Sequence, residues 1–162
     1  MAVDFFLKID GIAGESTDDK HKDWIEVISY SFGVSQMASV ADRSATTSAA
    51  GSRADFQDLS IVKTFDKASP KIFLACANGQ HFKEVTLELC RAGGDKQKYW
   101  DCKLSDVIVT SVGTGGGGGG EPTETVDFNF GKMEQTYTQI GRDGSPAGNV
   151  GMNWDLTANK GS

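Results

Sequence analysis

The sequence predicts a mainly β protein, a two-sheet β-barrel or sandwich with one short flanking α-helix. Three observations carry that expectation. Eight segments alternate apolar and polar residues with a period of two, one block carries helix start and stop signals, and Gly-rich stretches fall where strands must reverse. At 162 residues the chain is expected to form one domain, 1–162, able to bury a core without disulfides or a structural metal.

The first strand is expected at 3–9, with Val3, Phe5, Leu7 and Ile9 on one face and Asp4, Phe6 and Lys8 on the other, ended by Gly11 and Gly14. A long second strand is expected over 24–35. Its bulky face is Ile28, Tyr30, Phe32 and Val34, which leaves Val27, Ser29, Ser31, Gly33 and Ser35 pointing the other way, a row of mostly small residues facing water. Further strands are expected at 56–64, 84–91, 99–104, 106–112, 125–137 with a bulge at Gly131, and 150–156. The helix lies in ASPKIFLACANG. Ser69 is expected as its N-cap, Pro70 as its first residue and Asn78-Gly79 as its left-handed C-terminal cap, with Ile72, Phe73 and Cys76 covering an open end or edge of the barrel.

Two segments break the alternation. Residues 35–54 have no sustained period, which is long for a structureless loop in a compact domain. Met37 and Val40 give it apolar character and Asp42, Arg43, Arg53 and Asp55 give it both charge signs, so it is expected to act as an arm that docks on a neighbour. Residues 113–122 contain the run Gly115 to Gly120; no Lys-Ser/Thr pair or helix follows, so a hairpin connection is expected and not a phosphate loop.

Composition removes several function classes. A formal charge of −6 and a pI near 4.8 are repelled by phosphate backbones and anionic lipids, so neither nucleic acid nor membrane insertion is expected. The opening MAVDFFLKID lacks an unbroken apolar h-region of about 7–15 residues, so no Sec signal is expected and synthesis is expected to leave the protein in the cytoplasm. Cys76, Cys90 and Cys102 read as buried free thiols. His21 and His81 lie in turn-like stretches with no CxxC or HExxH neighbour; they read as solvated, with no metal, cofactor or catalytic residue expected. Carboxylates such as Asp18-Asp19, Asp23/Glu26 and Glu121/Glu124 read as solvated surface. Trp24, Trp100 and Trp154 leave a carbohydrate-binding β-sandwich as the alternative, and His21 and His81 leave a hydrolase as a third class.

The stretches MAVDFFLKIDGIAGEST, IEVISYSFGVSQ, QDLSIVKTFDKASPKIFLACANGQHF, LELCRAGGD and DVIVTSVGTGG together resemble the haemolysin-coregulated protein (Hcp) family, the tail-tube subunit of type VI secretion systems. The resemblance runs nearly end to end, and the 35–54 loop and residues past 140 depart from it. It implies a non-enzymatic structural protein. Its partners would be its own copies in a homohexameric ring, further rings stacked into a hollow tube, the tube-tip spike protein, the sheath, and small effectors held in the lumen and exported with it. Export through that machine would make the protein extracellular without a signal peptide. The strand carrying Ser29, Ser31 and Gly33 aligns with the family's lumen-lining segment, which implies that these three residues face cargo.

Overall fold

The computed structural model describes residues 2–36, 53–93 and 96–162. The first strand, β1, spans Val3–Ile9 as its alternation requires. The chain then forms β2 (Ile25–Val27), β3 (Ser29–Ser31), β4 (Val34–Ser35), β5 (Asp55–Phe56) and β6 (Leu59–Thr64) before helix α1 (Ser69–Asn78). Long strands follow: β7 (His81–Arg91), β8 (Gln97–Gly115), β9 (Thr123–Ile140), β10 (Pro146–Asp155) and the short β11 (Lys160–Gly161).

Strand β9 organises the sheets. Its first part pairs with β6, from Leu59 opposite Phe128 to Thr64 opposite Thr123, and its second part pairs with β10, from Asp155 opposite Lys132 onward. Strand β8 covers its other edge along both parts. The sheet therefore forks near Gly131 into two leaves that share β8 and β9. One leaf continues through β7, β1 and β2, the other through β6 and β3, and all these pairs are antiparallel.

The single strand expected over 24–35 is three short ones, because the chain passes here from one leaf to the other. Strand β2 pairs with β1 and β3 pairs with β6; Ile28, between them, donates its backbone N–H to the Val62 carbonyl at 2.8 Å. The change of partner breaks the period of two. Val27 is buried instead of facing outward, Tyr30 and Phe32 stay half-buried, and Ile28 and Val34, both expected inside, are exposed. The chain thus crosses from one leaf to the other at Ile28, where the sheet itself is not closed.

Two further expectations are corrected along β8 and β9. The strands expected at 99–104 and 106–112 are one, continuous through Asp106, whose φ of +54° lies in the left-handed region. The bulge expected at Gly131 lies instead between Val109 and Ser111 on β8, while the register across Gly131 is unbroken. Gly131 sits opposite Asp106, and a Cβ there would approach the Asp106 carboxylate to 3.3 Å. Residues 116–122 connect β8 to β9 as a hairpin.

The core fills the space between the leaves with Leu7, Ile9, Ile25, Ile61, Val85, Leu87, Leu104, Val126 and Phe128, among others. Helix α1 covers it with Ile72 and Ala75, in line with the buried N-cap residue Ala68, a spacing of three to four that puts one stripe inward. Full burial of Ile72 is worth about 1.5–3 kcal/mol. The expected Phe73 contact is not made: Phe73 is exposed, with Leu74 beside it, because both lie on the opposite side of the helix. Gly79 caps the C-terminus at φ +70°. Ser69 is not the N-cap. It is the first helical residue, and its hydroxyl is buried in an ion-pair network.

Candidate functional site

On the β3–β6–β9–β8 leaf the register carries two rows straight across four strands. Ser29 faces Val62, which faces Thr125, which faces Gly113; Ser31 faces Ser60, then Asp127, then Ser111. Paired residues of an antiparallel sheet point the same way. Ser29 and Ser31 are exposed, and the rows form a wall of small, mostly hydroxyl-bearing residues on the side away from the core. Gly33 stands apart: it is half-buried, its carbonyl accepts the Gln57 N–H at 2.8 Å, and the Gln57 side chain lies 3.2 Å from where its Cβ would be.

At one end of this leaf β4 and β5 pair, Val34 with Phe56 and Ser35 with Asp55, as a two-stranded stalk. Phe56 anchors the stalk by stacking on Trp154 at 6.1 Å and meeting the Phe130 edge at 6.3 Å. Arg53, two residues before β5, is exposed. Met37, Val40, Asp42 and Arg43 lie outside the described residues.

The opposite leaf carries a second small core on its outer face. Phe6, assigned to the polar face of β1, is buried there beneath residues 13–24, and His21 stacks on it with ring centroids 4.2 Å apart. His21 is not solvated: it is 3% exposed, with Nδ1 2.7 Å from Asp18 Oδ2 and Nε2 2.6 Å from Glu88 Oε2. Asp18 is likewise not free surface. Its hydrogen bond to His21, joined by Lys96 and opposed by partial desolvation, lowers its pKa to about 2. Lys96 bridges Asp4 and Asp18, and Lys98 bridges Glu88 and Asp101. His81 is exposed, 3.4 Å from Asp106.

Glu124, also expected on the surface, is buried against Lys63, whose side chain has no exposure at all. The residue pattern held a signal for both. Lys63 follows Leu59 and Ile61, and Glu124 precedes Val126 and Phe128, each on the inward parity of its strand. Opposite charges on the inward faces of two strands pair when the strands do.

The three tryptophans that left a carbohydrate platform open as the alternative are half-buried, and each packs on another ring of the protein. Trp100 clusters with Tyr30 and Phe32, the three ring centroids 5.6 to 6.1 Å apart, Trp154 stacks on Phe56, and Trp24 meets the His21 ring edge-on. Cys76, Cys90 and Cys102 are free thiols, the last two buried. No helix among the described residues is long and apolar enough to cross a membrane.

The forked β structure, with a wall of small residues on one leaf and an ion-pair network on the other, places the chain among mainly β proteins of the barrel or sandwich class. Comparison with known proteins places it more closely. Residues 6–137 match the family model described as type VI secretion system effector, Hcp, and the chain belongs to that family. It is 38% identical to Protein hcp1 of Pseudomonas aeruginosa, with 98% of each chain covered. Among solved structures it is similar to one titled as a type six secretion system protein (TM-score 0.92, 34% identity, 99% and 100% of the two chains). It is also similar to Hcp1 from Salmonella typhimurium (TM-score 0.79, 34% identity, 100% of both). The family is one of secreted structural proteins of the type VI system, as the motifs implied, and the mainly β fold with one helix agrees.

Proposed function

We propose that the chain is the tail-tube subunit of a type VI secretion system, closing into homohexameric rings that stack into a hollow tube and carry small effectors in the lumen. In this reading residues 1–162 act as one tube-subunit domain. The 35–54 segment, including Met37, Val40, Asp42, Arg43 and Arg53, reaches a neighbouring subunit or ring. The spike protein and sheath are its partners in the machine, and the protein is made in the cytoplasm and leaves through that machine.

The observation that carries the reading is the register-continuous wall through Ser29 and Ser31. A conduit must let cargo approach closely and leave again, and short hydroxyl side chains lose little rotamer freedom and offer weak, replaceable hydrogen bonds. Exposed apolar residues on the β9–β10 hairpin support self-assembly. Val150 is 73% exposed and Tyr137 beside it 48%, and the outer edge of β10 is paired by β11 only at Trp154 and Asp155, an edge of the kind ordinarily covered by a partner.

The test is Ser31→Gln, which adds bulk without charge at an exposed strand position and should change stability by no more than about 0.5 kcal/mol. Rings should still form, and accumulation of a cognate small effector should fall. If Ser31→Gln and Ser29→Gln proteins carry effector as well as the parent does, this strand does not line the cargo path.

A further inference from the structure

Beneath residues 13–24, side chains from two distant parts of the chain converge at the side of an open cavity of about 460 Å³. His21 Nε2 lies 2.6 Å from Glu88 Oε2 and 3.9 Å from Cys90 Sγ, and the three donor atoms all fall within 4.8 Å of one another. A tetrahedral zinc ion at its usual bond lengths separates imidazole nitrogen and thiolate sulfur by about 3.5 Å, and nitrogen and carboxylate oxygen by about 3.3 Å. The His21–Cys90 spacing is already close to that, and the Glu88 carboxylate needs to draw back by less than about 1 Å.

Around the donors stands the outer support that metal sites use. The far nitrogen of His21, Nδ1, is held by the Asp18 carboxylate at 2.7 Å, which fixes the ring and directs Nε2 at the other two donors. Glu88 is held through its other oxygen by Lys98 at 3.7 Å. Both His21 and Cys90 are buried, so they are preorganised, while His21 and Glu88 also line the cavity, which supplies an entry path and room for water. Among the described residues the surrounding ion-pair network sets Asp4, Asp18, Glu88 and Asp101 against Lys96 and Lys98, with Lys20 also lining the cavity, an acidic balance that favours a dication.

We propose that His21 Nε2, Glu88 Oε2 and Cys90 Sγ form a binding site for a divalent transition metal of the zinc class, with its fourth position open to the cavity. Binding exchanges protons for metal: the Cys90 thiol releases its proton as the metal–sulfur bond forms, the proton shared in the Nε2···Glu88 Oε2 hydrogen bond also leaves to solvent so that both atoms can ligate, and Nδ1–H keeps its hydrogen bond to Asp18. Burial, with the Glu88, Asp18 and Asp4 carboxylates nearby, pushes the Cys90 thiol up to about 11, so in the metal-free protein that proton stays on sulfur. A bound ion would tie the 13–24 segment to β7. The donors are 67 and 69 residues from His21 in the chain, which is why no spacing motif marks them.

The test uses the purified full-length protein, stripped with a chelator and titrated with Co²⁺ and then Zn²⁺. The expected result is one Co²⁺ per chain with a thiolate-to-cobalt charge-transfer absorption, abolished when Zn²⁺ displaces it. Cys90→Ser should lose that absorption and Cys76→Ser should keep it. Asp18→Asn, which removes the carboxylate behind His21 together with its pair to Lys96, should weaken affinity by about 10- to 100-fold. Glu88→Gln, at a half-buried position where folding is retained more easily, should also bind Zn²⁺ at least 10-fold more weakly, judged on protein with native circular dichroism. A folded parent that gives no charge-transfer band overturns the site, as does an unchanged band in Cys90→Ser or unchanged Zn²⁺ affinity in Glu88→Gln.

Discussion

Breaking the Lys63–Glu124 pair should destabilise the fold unequally depending on which partner is removed. Lys63 Nζ donates to Glu124 Oε1 at 2.5 Å, to Asp66 Oδ1 and Ser69 Oγ at 3.0 Å, and to the Thr64 carbonyl at 2.9 Å. Glu124 Oε1 has in addition the Ser69 hydroxyl, which donates to it at 2.7 Å. Removing one member of a buried pair typically costs about 3–5 kcal/mol because the other charge is left without compensation. Lys63→Met leaves a carboxylate that is 1% exposed with one hydroxyl donor, so it belongs at the upper end, about 5 kcal/mol. Glu124→Leu leaves Lys63 with the Asp66 carboxylate, the hydroxyl and the carbonyl, so about 3 kcal/mol is expected. The double variant should lie within about 2 kcal/mol of the parent, since a buried pair can be replaced by apolar residues at little cost. Urea unfolding at fixed protein concentration reads all three, and the larger loss corresponds to a fall in Tm on the order of 10 °C. If Glu124→Leu costs more than Lys63→Met, or if the double variant costs the sum of the singles, the pair is not organised as described.

Two other perturbations follow from close approach and burial. A Cβ on Gly14 would lie 2.4 Å from the Trp24 carbonyl oxygen and 2.8 Å from Ile25 Cα, backbone that cannot give way locally; Gly14→Ala should therefore lose on the order of 3 kcal/mol by denaturant unfolding. A loss under about 0.5 kcal/mol would show that residues 13–24 are not packed as described. Burial pushes Cys102 up to about 12, and burial with nearby carboxylates pushes Cys90 up to about 11, from an ordinary 9.0. Below pH 9 both states hold these protons. Above it the unfolded chain ionises first, so stability should fall as pH rises from 9 toward 11, and Cys102→Ala should flatten that fall. In the native protein at pH 8, Cys76 alone should react readily with a thiol reagent; prompt reaction of all three would contradict the burial.

The elements most legible in the sequence are those whose residues answer to one environment along their whole length. Strand β1 keeps Leu7 and Ile9 inward, β7 does the same with Val85, Leu87 and Leu89, and Gly79 supplies a left-handed turn that a side chain would resist. Legibility fails where one segment serves two leaves. At Ile28 the partner changes, so the residues on either side obey different alternations, and the period read across the junction assigned Val27 and Ile28 to the wrong faces. Long-range partners were equally hidden. The turn-like DKHKD stretch reads as solvated until Glu88 is brought to His21 by the docking of 13–24 on β7, and Ser69 reads as a cap until Glu124 arrives from β9. The small-residue row at Ser29 and Ser31 was visible because it needs no partner to be recognised, but its extension through Ser60, Thr125 and Ser111 depends on register across strands far apart in the chain.

Native mass spectrometry of the purified full-length protein across a range of ionic strength tests the tube-subunit account most directly. The account predicts a closed species of six chains of 17.3 kDa each. Six copies of a chain at −6 repel one another while apolar contacts hold them, so added salt should raise the hexamer fraction by screening the repulsion. A 17.3 kDa species alone at micromolar concentration, at every ionic strength, would contradict it.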